Sequence, residues 1–201
     1  MAQETCKNSD KPVKNHSENI LDMIELVQTV SPNCPPLIFA SYYRQMKDLP
    51  KLIASVLGCS LVGILGTPFT IAAIPTWYAN LNKPFFAPPN WIFGLVWTLL
   101  YLMMGVAFFL IWRQGFAKKK VKAAGQFFLA QLALNFLWSP VFFGLRAPLL
   151  GLLVIVAMWV LIVLTIGKFR PLSSLAFYLL LPYLAWVSFA TALNAAIVVL
   201  N

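Results

Sequence analysis

After residue 48 this chain contains no aspartate, no glutamate and no histidine. All six acidic residues (Glu4, Asp10, Glu18, Asp22, Glu25 and Asp48) and the single histidine, His16, fall in the first 48 of its 201 positions. The remaining body has no side-chain carboxylate and no imidazole. That excludes paired-carboxylate acid/base chemistry, a Ser/His/Asp triad and the usual oxygen and nitrogen ligands of a metal, so no metal site is expected. It also excludes the Asp/Glu/His relays found inside proton pumps. Cysteine is scarce as well. Cys6, Cys34 and Cys59 are widely spaced and form no ligand pattern, and Cys59, inside an apolar run, is expected to pack as a small hydrophobe. Charged residues make up only 10% of the chain, against about 25% in a soluble domain, while 60% of the residues are hydrophobic.

The chain is filled instead by five long apolar runs, at 52–74, 91–112, 123–144, 148–167 and 173–200. Each is near the roughly 20 residues that span a bilayer as helix. The runs lack the alternation of strands, and lipid tolerates no open sheet edge. The expected fold is therefore all-α, an integral membrane bundle of five transmembrane helices over residues 47–201. Short connections after the first make neighbouring spans antiparallel. Residues 1–46 are a different material. They are expected to be a polar N-terminal extension without stable fold, apart from a short amphipathic helix over 19–30 that carries Ile20, Met23, Ile24 and Val27 at helical spacing. Ser31-Pro32-Asn33-Cys34-Pro35-Pro36 would end that helix, and no cleavable signal pattern is visible.

The net charge of +9 raises the question of nucleic acid, but the bases sit beside apolar spans. Topology and anionic membrane lipid account for them, and no nucleic-acid partner is expected. Arg44, Lys47, Lys51, Arg113, Lys118, Lys119, Lys120, Lys122, Lys168 and Arg170 fall on one side of a five-span arrangement, and only Lys83 and Arg146 on the other. The amino terminus of this multi-pass protein is thus expected on the positive, cytoplasm-like side.

Three spans carry aromatic rings and polar groups on one stripe: Gly94, Trp97, Tyr101 and Gly105; Gln131, Asn135, Trp138 and Phe142; and Tyr183, Trp186, Ala190, Leu193 and Asn194. An amide facing lipid is costly, so Gln131, Asn135 and Asn194 are expected to face inward. They either glue helices together by hydrogen bonds or line a shared cavity. The mixture repeated on three spans favours the cavity, which would suit a flat apolar ligand. Small residues at Ser55, Cys59 and Gly63 suit close helix packing in the first span. The fourth span, polar only at Thr165, reads as a lipid-facing buttress. Pro140 and Pro182 should each free a carbonyl one turn earlier, at Phe136 and Tyr178. The connection over 75–91 is stiff, aromatic and amphipathic, and reads as a lid or gate over the cavity.

Trp77-Tyr78-x2-Leu81-x-Lys83-Pro84, then Pro88-Pro89-x-Trp91-x-Phe93-Gly94-x2-Trp97-Thr98-x-Leu100-Tyr101-x2-Met104-Gly105, resembles the signature of the translocator proteins, or tryptophan-rich sensory proteins (TspO/MBR). The resemblance continues through Leu134-Asn135-x2-Trp138-Ser139-Pro140-x-Phe142-Phe143 and Pro182-Tyr183-Leu184-Ala185-Trp186-x2-Phe189-Ala190-Thr191-x-Leu193-Asn194. It covers residues 52–196. It implies a five-helix membrane receptor, often a homodimer, for porphyrin-type tetrapyrroles (protoporphyrin IX or a haem-like macrocycle) and related hydrophobic small molecules. No cofactor would be required. The implied ligand-binding residues are Trp77, Tyr78, Pro88, Trp97, Asn135, Trp138, Trp186, Phe189 and Ala190, under the loop 75–91. Light- and oxygen-dependent porphyrin breakdown, with Trp97 and Trp186 as the catalytic pair, is the alternative the resemblance offers, and transport of lipophilic molecules another. Two features depart from the pattern. The last tyrosine, Tyr183, is followed by no basic residue, which puts sterol transport in doubt. The glycine pair associated with dimerisation is not clear either, since Gly125 is followed four residues later by Leu129.

Overall fold

The computed structural model describes residues 37–201, with side chains from residue 48 onward. The polar extension and its expected 19–30 helix lie outside the described residues. Residues 1–48 and 49–201 form separate units, and the second holds the membrane bundle.

Five α-helices follow one another: α1 (Leu37–Ala73), α2 (Asn90–Trp112), α3 (Lys119–Ser139), α4 (Pro148–Phe169) and α5 (Ser174–Leu200). No strand occurs among the described residues. The apolar stretches long enough to cross a bilayer are Asp48–Ala73, Asn90–Trp112, Lys119–Gly144, Pro148–Phe169 and Ser174–Leu200. At about 1.5 Å rise per residue each exceeds the roughly 30 Å of hydrocarbon. The protein is thus an all-helical, multi-pass membrane protein. The boundaries expected from sequence agree to within a few residues at four spans. At α1 the helix starts well before residue 52 and carries both Pro50 and Pro68 inside it.

Local chemistry sets the helix ends. Ser173 Oγ accepts from the Ala176 N–H at 3.2 Å and caps α5. Pro148 opens α4, where its missing N–H costs nothing. Gly115, at φ +92°, makes the turn after α2. After α3 the helix widens into a π turn over Pro140–Gly144. Pro140 has no N–H to give the preceding turn, and the ladder resumes with Leu145 N–H donating to Pro140 O at 2.8 Å.

α4 packs between α3 and α5, and α2 packs on α5 and α3. α1 meets α2 where Gly105 lies against the backbone of Val56. At the end of the bundle nearest Arg113 the core is built of stacked, buried rings. Phe108 stacks on Phe128 at 4.7 Å between centroids, and Phe128 on Phe169 at 5.9 Å, tying α2, α3 and α4 together. Gln114 Nε2 donates to Leu172 O across the two connections at 2.9 Å. α4 buries Gly151, Ile155, Met158, Ile162 and Phe169 and exposes Leu153, Val156, Val160 and Leu164, as a lipid-facing buttress should.

Candidate ligand-binding site

The other half of the bundle is hollow. A cavity of about 520 Å³ lies among α1, α2, α3 with its π turn, and α5. α1 supplies a stripe of small and hydroxyl residues, Ser60, Gly63, Thr67 and Thr70, at steps of three and four, and Ile74 continues it just past the helix end. Thr67 and Thr70 spend their hydroxyl protons on Gly63 O and Gly66 O one turn back, so they present little polarity to the space. α2 supplies Phe93, Gly94, Trp97 and Tyr101; α3 and the π turn supply Asn135, Trp138, Phe142 and Phe143; α5 supplies Ala190, Leu193 and Asn194.

Aromatic contacts fix the walls. Trp97 stacks on Tyr101 at 5.5 Å and stands edge-on to Tyr183 at 6.2 Å. Trp138 stacks on Phe142 at 5.0 Å, and Phe142 meets Trp77 at 5.7 Å and Tyr78 at 6.4 Å. Gly151 of α4 leaves the room that Phe142 and Asn194 occupy, since a Cβ there would stand 2.8 Å from the Phe142 ring.

A buried polar chain backs the cavity. The Tyr101 hydroxyl donates to Asn135 Oδ1. Asn135 Nδ2 donates to the Tyr183 hydroxyl at 3.1 Å, which in turn donates to Gln131 Oε1 at 2.7 Å. Asn194 accepts from Trp138 Nε1 at 3.3 Å and donates to Pro148 O at 2.9 Å. The three amides expected to face inward are all buried; Asn135 and Asn194 both line the cavity and bond across helices, whereas Gln131 lies outside the lining and bonds Tyr183. Among the described residues, Gln131 Nε2 and Trp186 Nε1 are the buried side-chain polar atoms without a partner.

Over the cavity, residues 75–89 fold back on the bundle. A short 3-10 turn, Tyr78–Asn80, buries Tyr78. Burial pushes the Tyr78 phenol above its ordinary pKa. The Asn201 side chain binds both backbone groups of Asn82: its Oδ1 accepts from Asn82 N–H at 3.0 Å and its Nδ2 donates to Asn82 O at 3.1 Å. Phe85 projects outward, as interfacial anchors do, and Trp91, largely exposed at the start of α2, stands at the edge of the cavity lining.

Of the residues singled out from sequence, Tyr78, Trp97, Asn135, Trp138 and Ala190 line this cavity. Trp77 touches it through Phe142. Trp186 and Phe189 lie outside the lining, in a second aromatic row: Phe86 meets Phe189 at 6.2 Å, Phe189 meets Trp186 at 5.5 Å, and Trp186 meets Phe93 at 5.7 Å. Pro88 is half-buried in the loop and outside the lining. Sequence reasoning missed the α1 wall altogether. Its signal was the 60, 63, 67, 70, 74 stripe, hidden because glycine and threonine read as packing residues.

The lining holds no carboxylate, imidazole or thiol. No cluster of three metal-ligating side chains occurs among the described residues. The site can stack, exclude water and offer a few hydrogen bonds. A family model for the TspO/MBR family matches residues 55–200, a range that contains the entire cavity lining. The chain belongs to the TspO/MBR family. It is 49% identical over 155 residues to a tryptophan-rich protein TspO of Archaeoglobus fulgidus, covering 77% of this chain and 99% of that protein. It is 39% identical over 144 residues to the human translocator protein, covering 71% of this chain and 82% of that protein. A tryptophan-rich sensory protein of Cereibacter sphaeroides is 39% identical over 142 residues, covering 68% and 85%. Within the TspO/MBR match, Gly125 packs inside its own bundle: a Cβ there would stand 2.6 Å from the Phe116 ring.

Proposed function

We propose that this TspO/MBR protein is a membrane receptor for porphyrin-type tetrapyrroles and related flat hydrophobic ligands, held in the cavity beneath the loop. The observation that carries the reading is the pairing of indole walls, Trp97 and Trp138, with two buried amides, Asn135 and Asn194, across a space of about 520 Å³. That volume lies in the range of about 300–1,000 Å³ typical of small-molecule sites. Stacking on indole needs neither a charge nor a metal, which fits a lining without either. Tyr78 and Ala190 complete the contacts, and no cofactor is needed. The ten-to-two distribution of basic residues orients the bundle with Arg113, Lys118 and Lys168 toward the cytoplasm-like side and the gate opposite.

The test is a titration of the purified full chain with protoporphyrin IX, followed by tryptophan quenching. Trp97→Leu and Trp138→Leu should each weaken binding about 5- to 150-fold, as expected for loss of a stacking wall worth about 1–3 kcal/mol. Trp159→Leu, on the lipid-facing helix, should leave it unchanged. Equal affinity in all three variants, or no saturable binding to the unaltered chain, would refute the proposal.

A further inference from the structure

Residues 52–112, which form the first two cavity walls and the gate, contain one formal charge, Lys83. Its placement is constrained from several directions. Asn82, the residue before it, is held at both backbone groups by Asn201. Pro84, the residue after it, has a fixed φ. The ammonium donates to Ala79 O at 3.2 Å and lies 4.9 Å from the ring centroid of Tyr78, a residue of the cavity lining. A lysine ammonium has three N–H donors, and that contact uses one. No acidic residue follows Asp48, at the opposite end of the first span, so the gate supplies no side-chain carboxylate of its own to neutralise Lys83. Phe85 on this loop is fully exposed and Trp91, at the start of α2, is largely exposed at the cavity edge, and exposed aromatic rings of this kind favour the membrane–water interface.

We infer that Lys83 is a specificity residue that selects ligands carrying a carboxylate on a flat apolar body. The inference rests on the proposed function and names the ligand class more narrowly. An acid group cannot descend into the cavity, because the lining has no cation and burying an unpaired carboxylate is prohibitive. It must stay at the rim, at the depth where the gate's only ammonium waits. The apolar ring system would enter between Trp97 and Trp138, and its acid edge would replace the ring of Tyr78 as the partner of Lys83. The contact is a charge-assisted hydrogen bond beside low-dielectric walls, stronger than the same pair in open water.

The experiment compares protoporphyrin IX with its dimethyl ester on the purified full chain, on Lys83→Gln and on Lys83→Arg, by tryptophan quenching at low and high salt. Arg146→Gln serves as a control for the other cation on the same side. Expected is a diacid that binds about 3- to 10-fold more tightly than the diester. That preference should vanish in Lys83→Gln, persist in Lys83→Arg and in Arg146→Gln, and shrink with salt. A Lys83→Gln loss shared equally by acid and ester would make the lysine a structural part of the gate and overturn the inference alone. So would an unchanged preference in Lys83→Gln. Binding of neither compound to the unaltered chain would remove the proposed function itself.

Discussion

Tyr183→Phe removes one oxygen atom from the centre of the bundle, and its effect can be worked from the bonds it breaks. Tyr183 and Gln131 are fully buried, on α5 and α3. The hydroxyl donates to Gln131 Oε1 at 2.7 Å and accepts from Asn135 Nδ2 at 3.1 Å. Gln131 Nε2 has no other partner, so the variant strands an entire buried amide. Leaving such a group unsatisfied costs about 1–3 kcal/mol in soluble proteins, and interhelical bonds in membranes average about 0.6 with a maximum near 1.7. A loss of about 1–2 kcal/mol is expected. Gln131→Leu should cost about 1 kcal/mol, because the Tyr183 hydroxyl keeps Asn135 and has Met158 Sδ at 3.5 Å as a weak acceptor. The informative species is the double variant. With both partners apolar nothing is stranded between them, so Tyr183→Phe/Gln131→Leu should be about 1 kcal/mol less destabilised than the sum of the singles. Equilibrium unfolding in mixed detergent micelles, followed by circular dichroism, measures all three. Additivity within about 0.3–0.5 kcal/mol would refute the claim that this pair is energetically one unit.

Gly105→Ala should destabilise the bundle by about 1–3 kcal/mol in the same assay, because its Cβ would stand 2.6 Å from Val56 Cα, a backbone atom that cannot rotate away. Gly94→Ala, with nothing within 4 Å of its Cβ, should be neutral or slightly stabilising. The raised Tyr78 phenol predicts a pH effect with a definite sign. Below about pH 10 both folded and unfolded chains hold the proton, and the linked stability is fully present. As pH rises from there through the folded value, the unfolded chain ionises first and that stability is lost. Alkaline unfolding should therefore be less steep in Tyr78→Phe, and the ultraviolet tyrosinate titration should lose one component above about pH 10.

The helices were legible because each is a long apolar run, and the inward faces of α2, α3 and α5 because amides cannot face lipid. Asn135, Asn194 and Gln131 announced their own burial. The α1 wall was not legible, for a physical reason. Gly63, Thr67 and Thr70 neither cost energy in lipid nor attract attention as ligand groups, and their hydroxyls bond their own helix. Trp186 behaves differently from its stripe neighbours. A tryptophan on the same stripe as Tyr183 and Ala190 reads as a cavity residue, yet at 3.6 residues per turn it is rotated off the Tyr183–Ala190 line. The structure gives it to Phe93 and Phe189 instead.

The π turn shows how one residue joins these levels. Pro140 was expected to free a carbonyl; the helix accommodates it by widening, and the widened turn carries Phe142 and Phe143 under the loop. Phe142 then stacks on Trp138 and meets both Trp77 and Tyr78, so the α3 wall and the loop over the cavity share one aromatic cluster. The same bundle at its other end places Phe108, Phe128 and Phe169 face to face, with Phe128 and Phe169 fully buried. Both ends are rich in rings. At the cavity end α1 meets the rings with Gly63, Gly66 and threonines, which let it approach closely without filling the space between the stripes. A Cβ at Gly63 would collide with the Tyr101 ring, and one at Gly66 would stand 3.1 Å from Ser139 Oγ. The cavity therefore belongs to the pairing of a glycine-lined α1 with the aromatic stripes opposite it.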